Sequence, residues 1–309
     1  MYGAICGDVI GSPYEHHNIK TKDFPLYSEK SRLTDDSIMT LACAESLMTY
    51  FDCNGTKDLS GDSDRESLKN RFIIAFRKWG LKYPNAGYGR AFYKWIHLGG
   101  EPYNSWGNGS AMRVSPIAWC FDDIEVVREV ARISAEVTHN HPEGIKGAEA
   151  IASAVFLART GKLKKDIREY ITSEFGYDLS KTCDEIRPDY SFDVSCQGSV
   201  PQAIIAFLDG IDYEDVVRNA VSLGGDSDTI ACMAGCIAEA YYGIGVAIYE
   251  PAIHLMTEDQ LDIWKRFFVY MPKRITPGRI NENIWPFVFK YLPEEDWDIA
   301  KNCISTMDI

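Results

Sequence analysis

Asp35-Asp36-Ser37-Ile38-Met39-Thr40-Leu41-Ala42-Cys43-Ala44-Glu45-Ser46-Leu47-Met48-Thr49-Tyr50-Phe51 is the stretch whose reading decides the fold. Its apolar and small residues recur at three- and four-residue intervals, the spacing of one face of an α-helix. Thr34 or Asp35 stands at its start, where a side-chain oxygen can accept free backbone amides. The same periodicity marks residues 68–79, 124–137, 143–157, 201–208, 213–222 and 227–242. Gly80, Gly161, Gly210 and Gly243 fall where helices are expected to stop. Alternating β-branched runs are nearly absent, and no composition break suggests a linker. The expectation is an all-α protein with one domain spanning residues 1–309.

Bulk properties narrow the class. With 46% hydrophobic and 12% aromatic residues, the chain can bury a sizeable core and is not disordered. A formal net charge of −13 argues against a general nucleic-acid binder, which carries a basic surface. The nine cysteines are odd in number, and Cys6, Cys43, Cys120, Cys232 and Cys236 sit in apolar stretches. That pattern reads as reduced thiols packed as small core residues, with a cytoplasmic location expected. Cys232 and Cys236 lie one helical turn apart, but no matching Cys or His pair accompanies them, so core packing outweighs a metal role. The opening Met1-Tyr2-Gly3-Ala4 lacks a basic region, so no signal peptide is expected. No stretch is long and charge-free enough to span a bilayer. The polar stretch 54–66 carries Asp58, Asp62 and Asp64 without EF-hand spacing, and reads as a solvated loop. A second, 177–195, lies between helices and is expected to border a pocket.

Two acidic clusters carry the chemistry. Leu33-Thr34-Asp35-Asp36-Ser37 and Gly224-Gly225-Asp226-Ser227-Asp228-Thr229 each place two carboxylates beside a threonine, and each runs into an apolar helix. Such clusters can be ordinary helix caps, since a helix N-terminus favours negative charge. Two of them, each with doubled aspartates, favour a cation site instead. Oxygen-only ligands suit Mg²⁺, Mn²⁺ or Ca²⁺ rather than zinc.

Four segments in order, Gly7-Asp8-Val9-Ile10-Gly11-Ser12-Pro13-Tyr14-Glu15, Thr34-Asp35-Asp36-Ser37, Gly107-Asn108-Gly109-Ser110-Ala111-Met112-Arg113 and Ser222-Leu223-Gly224-Gly225-Asp226-Ser227-Asp228-Thr229, resemble the successive motifs of the ADP-ribosylglycohydrolases. This family includes the ADP-ribosyl-acceptor hydrolases and the dinitrogenase-reductase-activating glycohydrolases. The resemblance runs from Gly3 to about Tyr242. It implies a compact orthogonal helical bundle and a centre of two Mg²⁺ (or Mn²⁺) ions. Thr34, Asp35 and Asp36 would ligate from one side, and Asp226, Asp228 and Thr229 from the other. The centre would hold the distal ribose and polarise a water, and Glu15 would move the proton.

The same resemblance makes the loop Tyr103-Asn104-Ser105-Trp106-Gly107-Asn108-Gly109-Ser110 a substrate contact, above all Asn104 to Asn108, with amides for the diphosphate and Trp106 for the adenosine end. Gly87-Tyr88-Gly89 and His139 are further contacts it implies. Asp8 reads as a polar group at a helix end or behind the ligands, and Arg113 as a buried structural arginine. His16 and His17 adjoin Glu15 and can shift its protonation, although loop exposure is an equal reading. The implied activity is hydrolysis of the glycosidic bond between ADP-ribose and an acceptor, an arginine or serine side chain of an ADP-ribosylated protein. The Ser-Pro-Tyr-Glu turn and the Trp106 loop look closer to the serine-directed type. Alternatives are a non-catalytic ADP-ribose-binding protein, a hydrolase of O-acetyl- or poly-ADP-ribose, and a magnesium phosphohydrolase of nucleotides. A monomer is expected, without membrane or general nucleic-acid partners.

Overall fold

The computed structural model describes residues 1–55, 59 and 61–271. These form fourteen α-helices. They are α1 (Tyr2–Gly11), α2 (Asp35–Asn54), α3 (Asp62–Lys82), α4 (Arg90–Leu98), α5 (Ser115–Cys120), α6 (Ile124–Glu136) and α7 (Pro142–Arg159), followed by α8 (Lys164–Phe175), α9 (Cys183–Ile186), α10 (Cys196–Asp209), α11 (Tyr213–Ser222), α12 (Ser227–Tyr242), α13 (Val246–His254) and α14 (Glu258–Phe267). No β-strand occurs among the described residues; the nearest approach is one isolated antiparallel bridge, Gly107 to Ser195. The expected all-α bundle is what the chain forms.

At the centre of the bundle are α1, α7, α10 and α12, which are buried along almost their whole length. The tightest packing joins α1 to α12. A methyl group at Gly3 would lie 2.4 Å from the Gly235 carbonyl oxygen, one at Gly7 2.1 Å from that of Ala231, and one at Gly11 2.5 Å from the Asp228 Cα. Glycine at positions i, i+4 and i+8 therefore lets two backbones touch, and it brings the first helix alongside the aspartates at the start of α12. The signal was present in the sequence as a four-residue glycine period.

Three local expectations change. Gly80 does not end a helix: it lies inside α3, where Ile96 of α4 fills the space a side chain would take, 2.4 Å from its would-be Cβ. The helix expected over 201–208 begins earlier, at Cys196, capped by the Ser195 hydroxyl, which accepts from the Gly198 amide at 3.1 Å. The polar stretch 54–66 is not all loop. Residues 62–66 form the first turns of α3, whose opening Asp62 and Asp64 suit a helix N-terminus; Asp58 and the rest of 56–58 and 60 lie outside the described residues, as does 272–309 of the expected domain. Cys6, Cys43, Cys120, Cys232 and Cys236 are all buried, as expected of core residues. No helix among the described residues is long and apolar enough to cross a membrane.

Candidate active site

Local structure delivers the two acidic clusters. Thr34 is the N-cap of α2 and its hydroxyl accepts from the Asp36 amide at 3.3 Å. Asp226 occupies the N-cap position of α12, and the turn before it needs Gly224 and Gly225 at φ 72° and 75°, a region glycine enters without steric cost. Because α1 lies so close on α12, Asp8 joins them. One oxygen each of Asp8, Asp36 and Asp228 lie within 4.8 Å of one another, and so do oxygens of Glu15, Asp226 and Asp228. Asp228 belongs to both groups.

The hydrogen bonds sort these carboxylates. Asp8 is saturated: it accepts from the Thr34 amide (3.0 Å), the Thr34 hydroxyl (2.6 Å), the Ser37 amide (3.0 Å) and, most closely, the Ser37 hydroxyl. It therefore organises the start of α2, a polar contact at a helix end. Asp36 is left half-used: Oδ2 accepts from the Thr229 hydroxyl at 3.1 Å, while Oδ1 is buried without a partner. Asp226 Oδ2 accepts from the Asn108 side chain at 2.6 Å. Burial first, then mutual repulsion, raises the pKa values of the aspartates Asp35, Asp36, Asp226 and Asp228. Burial, then the charges of Asp8 and Asp226, push Asp35 up to about 8. Burial pushes Asp226 up to about 6, and Asp36 and Asp228 well above the ordinary carboxylate range. A bare carboxylate oxygen among all-oxygen donors fits a hard divalent cation, which would relieve both the repulsion and the unmet acceptor.

A cavity of about 310 Å³ opens over this cluster. Of the expected substrate contacts, Gly87, Gly89, Ser105, Gly107, Asn108 and His139 line it, together with Glu15, Asp35, Asp36, Asp226, Asp228 and Thr229. Tyr88, Asn104 and Trp106 do not. Tyr88 packs on Phe92 at 5.5 Å. Asn104 turns away at φ 53°, its amide held by the Asn140 side chain at 2.8 Å. Trp106 is 52% exposed and leans on His141. Gly87 has φ 116°, and a Cβ there would stand 3.2 Å from Asp35 Oδ1, so glycine keeps that carboxylate open to the cavity.

Tyr103, at the head of the expected substrate loop, also lines it, whereas Arg90, Phe192 and Val194 on the lining were not singled out from the sequence. Phe192 and Val194 belong to the polar stretch 177–195 that was expected to border a pocket; they alternate along an extended segment paired to the Gly107 loop, where the Asn108 amide donates to the Val194 carbonyl at 2.8 Å. Arg113 is buried as expected, donating to the Ser134 carbonyl (2.8 Å) and the Thr138 hydroxyl (3.0 Å). That hydroxyl lies 2.7 Å from His139 Nδ1. Burial, then the Arg113 charge, holds the His139 pKa well below 6.5, so the ring is neutral at neutral pH. Its Nε2 faces the glycines of the loop, 3.2 Å from where a Gly109 Cβ would be.

Comparison of the whole chain with known proteins points to one group. The family model described as ADP-ribosylglycohydrolase matches residues 1–263. The human ADP-ribosylhydrolase ARH3 is 28% identical over an alignment that covers 79% of this chain and 84% of that protein. The ADP-ribosylarginine hydrolase Tri1 of Pseudomonas putida is 23% identical, covering 79% and 70%. Among solved structures, a chain of an ADP-ribosylglycohydrolase-related protein complex superposes with a TM-score of 0.55 at 22% identity, covering 85% of this chain and 90% of that one, which supports the fold.

Proposed function

The chain belongs to the ADP-ribosylglycohydrolase family, hydrolases of ADP-ribose glycosidic bonds, and on that premise we propose that it is a divalent-metal-dependent enzyme that frees ADP-ribose from a modified arginine or serine side chain. The observation that supports it most directly is the unpartnered Asp36 Oδ1 buried among Asp226, Asp228 and Thr229 beneath a cavity that Glu15 also lines. Thr34, Asp35, Asp36, Asp226, Asp228 and Thr229 are the residues that would hold two Mg²⁺ or Mn²⁺ ions. Such ions would supply charge neutralisation and Lewis-acid polarisation of oxygens at the distal ribose.

The protein's own part is positioning and proton transfer. Asn108 and Thr229 hold Asp226 and Asp36 in place, and Asp8 holds the start of α2. Cleavage of the glycosidic bond builds positive charge at the anomeric carbon, which the surrounding carboxylates favour. A water oxygen bonds to that carbon. Glu15 takes the proton the water gives up and returns one to the departing side-chain nitrogen or oxygen. His139, neutral, faces the glycine loop as a hydrogen-bonding wall for the nucleotide end. The test is release of ADP-ribose from arginine- and serine-linked peptides, with Mg²⁺ or Mn²⁺ and with chelator. Metal-dependent release from one of the two is expected; none from either would overturn the reading.

A further inference from the structure

We propose that Asn18 is a positioning residue for the hydrolysis: its carboxamide locks Glu15 to the turn that presents Asp226. The inference rests on the role given to Glu15 above. Asn18 lies on the surface three residues after Glu15. An exposed asparagine ordinarily leaves its amide to water. Here both ends of the amide are engaged by backbone. Oδ1 accepts from the Gly225 amide at 2.8 Å, while Nδ2 donates to the Gly225 carbonyl at 2.8 Å. Nδ2 also lies 2.8 Å from the Tyr14 carbonyl and 2.9 Å from that of Glu15. The side chain thus pairs with Gly225 as one strand residue pairs with another, and ties it to the backbone of Glu15 itself.

Placement gives this bridge its consequence. Gly225 immediately precedes Asp226, and Glu15, Asp226 and Asp228 have oxygens within 4.8 Å of one another. The segment after Tyr14 has no helix or strand to hold it. Other ties include Lys20, which donates to the Leu223 and Tyr190 carbonyls at 2.6 Å each, the Ser227 hydroxyl, which donates to the Tyr14 carbonyl at 3.4 Å, the Lys22–Asp215 ion pair, and Arg218, which donates to the Lys22 and Phe24 carbonyls at 2.8 and 2.7 Å. None of these bonds the Glu15 backbone. Asn18 is therefore the side chain that sets the distance between the proton-transfer carboxylate and the Asp226 turn.

Two substitutions test this without touching a carboxylate of the site. Asn18→Ala removes every bond. Asn18→Asp keeps the acceptor for Gly225 but sets a carboxylate against three carbonyl oxygens. Each is expected to lower kcat by on the order of 10- to 100-fold, the effect of misplacing a catalytic group by about an ångström. KM, the ADP-ribose dissociation constant and Mn²⁺ affinity should stay within about twofold, because the groups that bind are untouched. A kcat within about twofold of wild type in both variants would overturn the proposal, and so would a parallel loss of kcat, ligand affinity and Mn²⁺ affinity, which marks a merely structural residue. Hydrogen exchange at the Gly225 amide gives a readout that needs no turnover. It should be slow in the wild-type protein and faster in Asn18→Ala, and unchanged exchange would rule the lock out. Should the wild-type protein release no ADP-ribose, the functional reading fails, and the exchange arm alone decides whether the lock exists.

Discussion

At Asp36 one carboxylate oxygen is shared and the other is bare. Oδ2 takes the Thr229 proton; Oδ1 takes none and is sealed from solvent. Leaving a buried acceptor unmet costs about 1–3 kcal/mol, a cost that a bound cation removes. Asp36→Asn replaces one oxygen with a donor that cannot ligate a hard ion, so Mg²⁺ and Mn²⁺ binding measured by calorimetry should be lost or sharply weakened, with activity following. Glu15 separates differently. Glu15→Gln keeps the shape and the hydrogen-bonding capacity of the side chain but not its base, so kcat should fall by roughly 10²–10⁴-fold while ADP-ribose still binds. A fully active Glu15→Gln enzyme would remove Glu15 from the proton-transfer step and leave the family membership intact. At this scale the acidic residues were legible because carboxylate pairs at two helix starts are conspicuous in a one-dimensional string. Asp8 was less so: it is a single aspartate inside an apolar helix, and its partners Thr34 and Ser37 lie a loop away.

Among the elements, the α1–α12 contact governs how the carboxylates meet. Gly7 is its closest point, with a would-be methyl 2.1 Å from the Ala231 carbonyl oxygen, a backbone atom that no rotamer change can move aside. Gly7→Ala must push the helices apart, and overpacking of this kind costs typically about 1–3 kcal/mol. It should also part Asp8 from Asp228. The expected result is a lower melting temperature together with weaker Mn²⁺ binding; a melting temperature equal to wild type would show that the contact is looser than the geometry states. Helices were legible where a clear periodicity ran for about three turns or more, as in α2, α11 and α12, whose bounds nearly match the expectation. The short α5 and α9, the strongly polar α8, and α4, α13 and α14, each of ten residues or fewer, escaped, because short segments give little period to read and tertiary packing decides their state. Gly80 misled for a related reason. A glycine marks a helix end or a close neighbour, and only the fold shows that Ile96 is the neighbour.

Across the whole molecule the acidic centre couples stability to pH and to cations. In the unfolded chain its aspartates titrate at about 4, whereas in the folded protein Asp226 sits at about 6 and Asp35 at about 8. Between about pH 4 and pH 8 the folded state therefore holds more protons than the unfolded one, and the ion-free protein loses stability as pH rises through that window. Thermal melts of chelator-treated protein should show a falling melting temperature from about pH 5 to about pH 8, and added Mg²⁺ should raise it more at the upper end. A chelated protein that grows more stable over this range would contradict the electrostatics.

The glycine-lined contact between α1 and α12 has a consequence in time as well as in space. It joins the beginning of the chain to a helix that starts at Ser227, so the four carboxylates come together only after a loop closure that spans most of the described chain. Contacts so distant in sequence form late and slowly. A cation cannot guide that search, because its ligands do not yet share a neighbourhood. Mg²⁺ should therefore leave the refolding rate nearly unchanged and slow unfolding instead, acting as a clasp fastened last and opened first.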